Sequence, residues 1–359
     1  MEIRIKKAIH KAEKPADESK MGFGQVFTDH MFIAEWSANR GWHDARIEPF
    51  GYLPIHPAST SLHYGAEIFE GMKAYRKADG SIHLFRPEEN FARMNRSAAR
   101  MGLPQMPIED AMEALLTLLK LDADWVPHTN GTSLYIRPFM LGDDQFLGVH
   151  GVSHALFLII LSPSASYYKE GLNPVKIMIE DEDVRAVRGG TGEAKCGGNY
   201  GASTRAGIRA EERGYSQVLW LDGVERKYIE EVGAMNIMFK INGKIVTPAL
   251  TGSILPGITR KSILELLRAE GRDPEERRIS VEELIEAAEN GTLEEAWGVG
   301  TAAVISPVGW LMYQGKEYEI CGGKIGPTSQ ELYDKLTDLQ WGRSADPFGW
   351  IYPVKTEEE

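Results

Sequence analysis

A lysine stands in the middle of a glycine-rich stretch, Gly189-Gly190-Thr191-Gly192-Glu193-Ala194-Lys195-Cys196-Gly197-Gly198-Asn199-Tyr200-Gly201, in which six of thirteen residues are glycine. Glycine tolerates positive φ and lets a ligand come close to the backbone. A lysine set in such a turn becomes an amine nucleophile once desolvation or a neighbouring cation lowers its pKa. Arg185 and Arg188 are near enough in sequence to supply that charge. Taken alone, such a stretch is more often a solvated surface loop. The nucleotide-binding patterns Gly-x-x-x-x-Gly-Lys-Ser/Thr and Gly-x-Gly-x-x-Gly cannot be read from it. The segment Gly257-Ile258-Thr259 is a second place that could do chemistry. Gly257-Ile258-Thr259 opens a helical pattern whose first amides and Thr259 hydroxyl can hold an anion.

The elements that must position these residues are mixed. Strand-like runs rich in β-branched and aromatic residues occur at 62–76, 133–140, 154–162 and 175–180. Helical patterns cover 87–101, with Phe91, Met94 and Ala98 on one face, and 108–121, with Ile108, Met112, Leu115, Leu116 and Leu119. Further on, 199–213, 258–270, 281–289 and 328–340 read as helices and 217–221 as a strand. Asn242-Gly243 predicts a hairpin between 237–241 and 244–246, because Asn-Gly favours a type I′ turn. The alternation lacks the steady rhythm of a doubly wound sheet, so an α+β chain of two domains is expected. The bounds are a charged arm at 1–20, a small α/β domain at 21–165, a linker at 166–174 and a larger domain at 175–359.

With 359 residues, 43% of them hydrophobic and 26% charged, the chain can bury a large core unaided. A net charge of −12 disfavours general binding to nucleic acid or anionic membrane. Cys196 and Cys321 are the only cysteines, which excludes a disulfide framework and suggests a reducing, cytoplasmic setting. No signal-peptide core opens the chain, and the longest apolar run, 155–161, is short of a membrane span. No metal signature is present, and Asp181-Glu182-Asp183 reads as a solvated acidic run.

The order of the motifs resembles the branched-chain amino-acid aminotransferases of the fold-type IV class of pyridoxal-phosphate enzymes. The resemblance runs through Phe23-Gly-Gln-Val-Phe-Thr-Asp-His-Met31, His63-Tyr64-Gly65, Phe69-Glu70-Gly71-Met72-Lys73-Ala74 and Leu84-Phe85-Arg86-Pro87. It continues with Ser133-Leu-Tyr-Ile-Arg-Pro138, Lys195-Cys-Gly-Gly-Asn-Tyr200 and Glu230-Glu231-Val-Gly-Ala-Met-Asn236. Leu255-Pro256-Gly257-Ile258-Thr259-Arg260 and Gly300-Thr301-Ala302-Ala303 complete it. It covers nearly the whole chain, in order. It implies a small N-terminal α/β domain and a larger C-terminal cofactor domain with a pseudo-barrel sheet. Lys195 would carry pyridoxal 5′-phosphate as a Schiff base and shuttle the proton. Glu231 would partner the pyridine nitrogen, with Glu230 the alternative, and Tyr200 would bond the ring oxygen. Arg93, Gly257, Ile258, Thr259 and Thr301 would hold the phosphate.

The same resemblance implies a ping-pong exchange between L-leucine, L-isoleucine or L-valine and 2-oxoglutarate, giving branched-chain 2-oxo acids and glutamate. Tyr135 and the backbone of Thr301, Ala302 and Ala303 would bind the α-carboxylate. Phe27, Tyr64, Phe69 and Tyr168 would form the side-chain pocket, and Arg137 would clamp glutamate's second carboxylate. A homodimer is implied, with Leu147 and Val149 of the 142–149 loop entering the partner's pocket. Ala303 and Ser306 stand where some relatives carry a Cys-x-x-Cys redox pair, so thiol control there is not expected. The nearest rivals are a D-amino-acid aminotransferase or an aminodeoxychorismate lyase of the same fold; a catalytically inactive relative is more distant.

Overall fold

The computed structural model describes residues 1–165 and 172–355. They divide into two compact units: 1–165 with 194–197 and 338–355, and 172–193 with 198–337. Most of the expected linker, 166–171, lies outside the described residues.

The first unit is built on a nine-stranded sheet. Its strands are β1 (Arg4–Ile5), β2 (His30–Ser37), β3 (Gly41–Pro49), β4 (Glu67–Phe69), β5 (Met72–Arg76), β6 (Ile82–Phe85), β7 (Ser133–Gly142), β8 (His154–Ser164) and a C-terminal strand, Ile351–Val354. The order is β1-β3-β2-β8-β7-β5-β6 and then the C-terminal strand, with β4 paired to β7. That last strand lies antiparallel to β6. Residues 338–355, assigned to the second domain from sequence, therefore belong to the first unit: β6 offers an open edge that they cover.

The run at 62–76, read as one strand, breaks into three pieces. Thr60–Tyr64 forms the short helix α1, which ends where Gly65 takes φ 62, and β4 and β5 follow. Helices α2 (Pro87–Met101) and α3 (Ile108–Leu121) pack their apolar stripes into one core with Phe32, Ile68, Leu84, Leu134 and Phe157. Pro87 at the start of α2 and Gly102 at φ 68 past its end mark its limits as the sequence suggests. The charged arm is tied down: β1 pairs with β3, His30 Nε2 accepts the Ala8 amide at 2.9 Å, and Asp29 accepts the Ala12 amide at 2.6 Å.

The second unit contains β9 (Val175–Glu180), β10 (Gln217–Leu221), β11 (Ile229–Val232), β12 (Met235–Ile241), β13 (Lys244–Pro248), β14 (Glu275–Arg277), β15 (Leu293–Gly300), β16 (Val304–Tyr313) and β17 (Lys316–Glu319). Strands β11-β10-β9-β16-β15-β12 close on themselves because β11 also pairs with β12. This ring of strands is the expected pseudo-barrel. Asn242 and Gly243 both take positive φ, 50 and 75, as a type I′ turn requires. Trp220, Phe239 and Trp297 are fully buried in this unit. Its helices are α4 (Gly197–Glu212) past Gly197, α5 (Ile258–Ala269), α6 (Val281–Glu289) and α7 (Pro327–Gln340) up to Thr337. Among the described residues no helix is long and apolar enough to cross a membrane.

Candidate active site

Strand alternation puts Tyr135 and Arg137 of β7 on one face of the first unit's sheet. Arg137 Nη2 donates to the Tyr135 hydroxyl at 3.2 Å. Its guanidinium lies 4.7 Å from the ring centre of Phe69 and 5.3 Å from that of Tyr135. Among the described residues Arg137 has no carboxylate ion pair, and its Nε is buried without a hydrogen-bond partner. Glu67 feels this charge without pairing to it, so a cation held by one hydroxyl and two ring faces can still receive an anion.

Lys195 belongs to the same cluster. Residues 194–197 form part of the first unit although the flanking chain belongs to the second, contrary to the expected boundary. Two backbone contacts hold them there: Phe69 N–H donates to the Lys195 carbonyl at 3.0 Å, and Lys195 N–H donates to the Ser97 hydroxyl at 2.9 Å. The Lys195 amine sits 4.8 Å from the Phe69 ring centre. The residue as a whole is only partly buried by surface area, but protein surrounds the amine itself. That enclosure brings its pKa down to about 8; Arg93 and Arg137 add to the lowering, while Glu70 and Tyr135 oppose it.

The cations acting on the amine are therefore Arg93 and Arg137, not the neighbours expected from sequence. Arg185 instead binds the carbonyls of Gly192 and Ser253 and pairs with Glu231, and Arg188 binds the Thr251 carbonyl. Arg93 is buried on α2, where Glu70 holds its guanidinium through two bonds of 2.8 Å. Motif reading gives no role to Glu70, nor to Phe23, whose ring meets that of Tyr135 edge-on at 4.7 Å.

The other first-unit candidates lie as follows. Phe27 stacks on Phe50 at 4.7 Å. Tyr64 accepts the Gly148 amide at 2.9 Å, which ties it to the loop after β7. In that loop Leu147 and Val149 are exposed. Tyr168 lies outside the described residues.

The second unit carries the remaining candidates. Glu230 and Glu231 are both buried on β11, where alternation sends them to opposite faces. Glu231 Oε1 accepts from Asn236 Nδ2 at 3.1 Å and from the Leu255 amide at 2.9 Å, and Oε2 lies 3.0 Å from Arg185 Nε. These contacts fix an oriented carboxylate beside a cation. Glu230 instead accepts the Ser253 hydroxyl and lines a cleft of about 220 Å³, and burial pushes its carboxyl above the usual range. Gly257 caps α5 in an extended conformation, no acidic residue occupies the first turn, and Ile258 and Thr259 are buried. A Cβ on Gly257 would meet Asn236 Oδ1 at 2.0 Å, so the close approach needs glycine. Thr301, Ala302 and Ala303 form the turn from β15 to β16, closed by the Ile305 amide on the Ala303 carbonyl at 2.8 Å. Tyr200 is half-buried in the first turn of α4.

The family model "Amino-transferase class IV" matches residues 67–309. A branched-chain-amino-acid aminotransferase of Bacillus subtilis (strain 168) is 53% identical over 352 residues, covering 98% of this chain and 97% of that protein. A solved branched-chain aminotransferase from Escherichia coli has a TM-score of 0.74 at 28% identity, covering 91% of this chain and 99% of the other. A second, from T.th. and complexed with N-(5′-phosphopyridoxyl)-L-glutamate, has a TM-score of 0.72 at 25% identity, covering 90% and 98%. The buried amine at Lys195, the oriented Glu231 and these likenesses agree: the chain belongs to the class IV aminotransferases.

Proposed function

We propose that this chain is a branched-chain amino-acid aminotransferase, exchanging the amino group between L-leucine, L-isoleucine or L-valine and 2-oxoglutarate with pyridoxal 5′-phosphate as cofactor. The observation that carries this reading is one cluster: the enclosed Lys195 amine and the Arg137 guanidinium share the ring of Phe69.

The residues fit the cofactor. Lys195 offers an amine whose pKa is brought down to about 8, and Arg93 offers a buried guanidinium. The start of α5 is a glycine-capped turn whose amides suit a phosphate. Bound pyridoxal phosphate supplies an electron sink for negative charge at the substrate's Cα. Lys195 would anchor it and would hold or move the proton at the substrate's Cα. Glu231, fixed by Asn236 and Arg185, would hold the protonated ring nitrogen, and Tyr200 the ring oxygen. Arg93, Gly257, Ile258, Thr259 and Thr301 would hold the phosphate.

Tyr135 and the turn Thr301-Ala302-Ala303 would take the α-carboxylate. Phe69, with Phe27, Tyr64 and Tyr168, would receive the apolar side chain, whose burial is worth about 0.8 kcal/mol per methylene. One pocket must also accept glutamate. Arg137 suits both substrates: it can meet a carboxylate, and the faces of Phe69 and Tyr135 temper its charge when the side chain is apolar. The active form is read as a homodimer in which Leu147 and Val149 reach the partner's pocket. The free cysteines Cys196 and Cys321 favour a cytoplasmic setting.

Borohydride reduction of the purified, yellow protein followed by peptide mapping tests the cofactor attachment, which must fall on Lys195. Turnover of L-leucine with 2-oxoglutarate, set against D-alanine and aminodeoxychorismate, separates this activity from those of the same fold. Preference for either rival substrate overturns the reading.

A further inference from the structure

Glu70 has no solvent exposure, and none of the roles assigned above uses it. Its Oε1 accepts from Arg93 Nε at 2.8 Å and its Oε2 from Arg93 Nη2 at 2.8 Å, a parallel two-bond pairing. Asn90 Nδ2 also donates to Oε2, at 2.9 Å, and the Gly71 amide approaches it at 3.3 Å. Glu70's own amide donates to the Pro138 carbonyl at 2.7 Å, which fixes the carboxylate's root beside β7. Asn90, Arg93 and Ser97 recur at helical spacing on the buried side of α2. The same helix face thus grips Glu70 and, through Ser97, the backbone of Lys195. Burial works against ionisation of Glu70, but Arg93, Lys195 and Asn90 outweigh it and hold the carboxyl below the usual range.

We propose that Glu70 is a positioning residue for cofactor binding: it locks the Arg93 guanidinium in one orientation, so that the phosphate meets a charge already fixed in place. The inference rests on the reading of Arg93 as a phosphate-binding residue. An arginine left to its own torsions loses entropy when its ligand arrives, and a carboxylate that holds two of its N–H groups removes that cost beforehand. Glutamine keeps the shape of Glu70 but offers one acceptor oxygen, and its amide hydrogens oppose those of the guanidinium. Removal of a negative charge also makes the site more positive, which acts in the opposite direction. The proposal commits to orientation as the larger effect.

The test compares the affinity of the full-length apoenzyme for pyridoxal 5′-phosphate and for pyridoxal, read by absorbance titration, in Glu70→Gln, Asn90→Ala and Arg93→Gln. Glu70→Gln is expected to weaken pyridoxal phosphate about tenfold or more, with pyridoxal within about twofold. Asn90→Ala should move the ratio the same way by less, which keeps the test open if Glu70→Gln folds poorly. Combining Glu70→Gln with Arg93→Gln should add little to Arg93→Gln alone. Equal weakening of both ligands would make Glu70 merely structural, and tighter phosphate binding in Glu70→Gln would mean that charge wins; either result overturns the proposal. If Arg93→Gln leaves the phosphate preference intact, the reading of Arg93 itself fails and the proposal with it. If only Arg93→Gln changes the preference, the proposal for Glu70 alone fails.

Discussion

An amine that captures an aldehyde must first lose its proton, and an ordinary lysine is almost fully protonated at neutral pH. Enclosure brings Lys195 to about 8, with Arg93 and Arg137 assisting. Below that value the reactive fraction rises with pH, and above it the fraction saturates. The rate at which the apoenzyme captures pyridoxal phosphate should therefore climb about tenfold per unit up to roughly pH 8 and then level off. Stopped-flow absorbance measures this, and a profile still rising at pH 10 would refute it. Lys73, also brought down to about 8 by burial, makes peptide-level assignment of the modified lysine necessary. Arg137→Gln removes one lowering charge, so the midpoint should move upward. The same variant should lose glutamate turnover at least about tenfold while leucine turnover falls less, a pattern checked by kcat/KM for each substrate. Equal losses would remove Arg137 from glutamate recognition. The glycine setting draws attention to the lysine, but only the ordered motifs around it single it out, since such a loop alone reads as solvated surface. The lysine's charge partners are not legible in the sequence: Arg93 and Glu70 come from a helix and a strand end far away in the chain, whereas the adjacent Arg185 serves Glu231.

At the scale of elements, amphipathic stripes and punctuating residues make α2, α3 and the Asn242-Gly243 hairpin readable, because each is a local pattern with a local cause. The run 62–76 misleads because its strand-like composition hides a stop: Gly65 ends α1 in a left-handed conformation and restarts the chain as β4. Glycine also limits what the site tolerates. Gly257 brings the start of α5 against Asn236, and Asn236 holds Glu231. A methyl group in Gly257→Ala would displace Asn236 and loosen Glu231 together with the first turn of α5. Cofactor affinity should fall about tenfold or more, while overall thermal stability changes by only a few degrees. Spectral titration and a melting curve on the same preparation decide it; unchanged affinity would show that neither group holds the cofactor.

For the whole molecule, nothing in the sequence signals that Lys195 and the last strand join the first unit, since composition does not record which sheet edge a distant segment will cover. The same blindness applies to any surface that the proposed homodimer would cover, and the 142–149 loop is the candidate for it. Phe146, Leu147 and Val149 are 53%, 65% and 86% exposed, an apolar display that lowers the solubility of a solitary chain. The loop is nevertheless tethered. Asp144 accepts the Ser153 and His154 amides at its base, and Tyr64 accepts the Gly148 amide near its tip. A tethered apolar loop suits insertion into a second copy, where a Leu-sized side chain gains about 1.5–3 kcal/mol on burial. Leu147→Asp with Val149→Asp should therefore raise the KM for leucine about tenfold or more, with cofactor content per chain unchanged, and shift sedimentation towards the monomer. A wild-type chain that is fully active as a monomer, or a double variant with unaltered KM, would show that the pocket is complete within one chain.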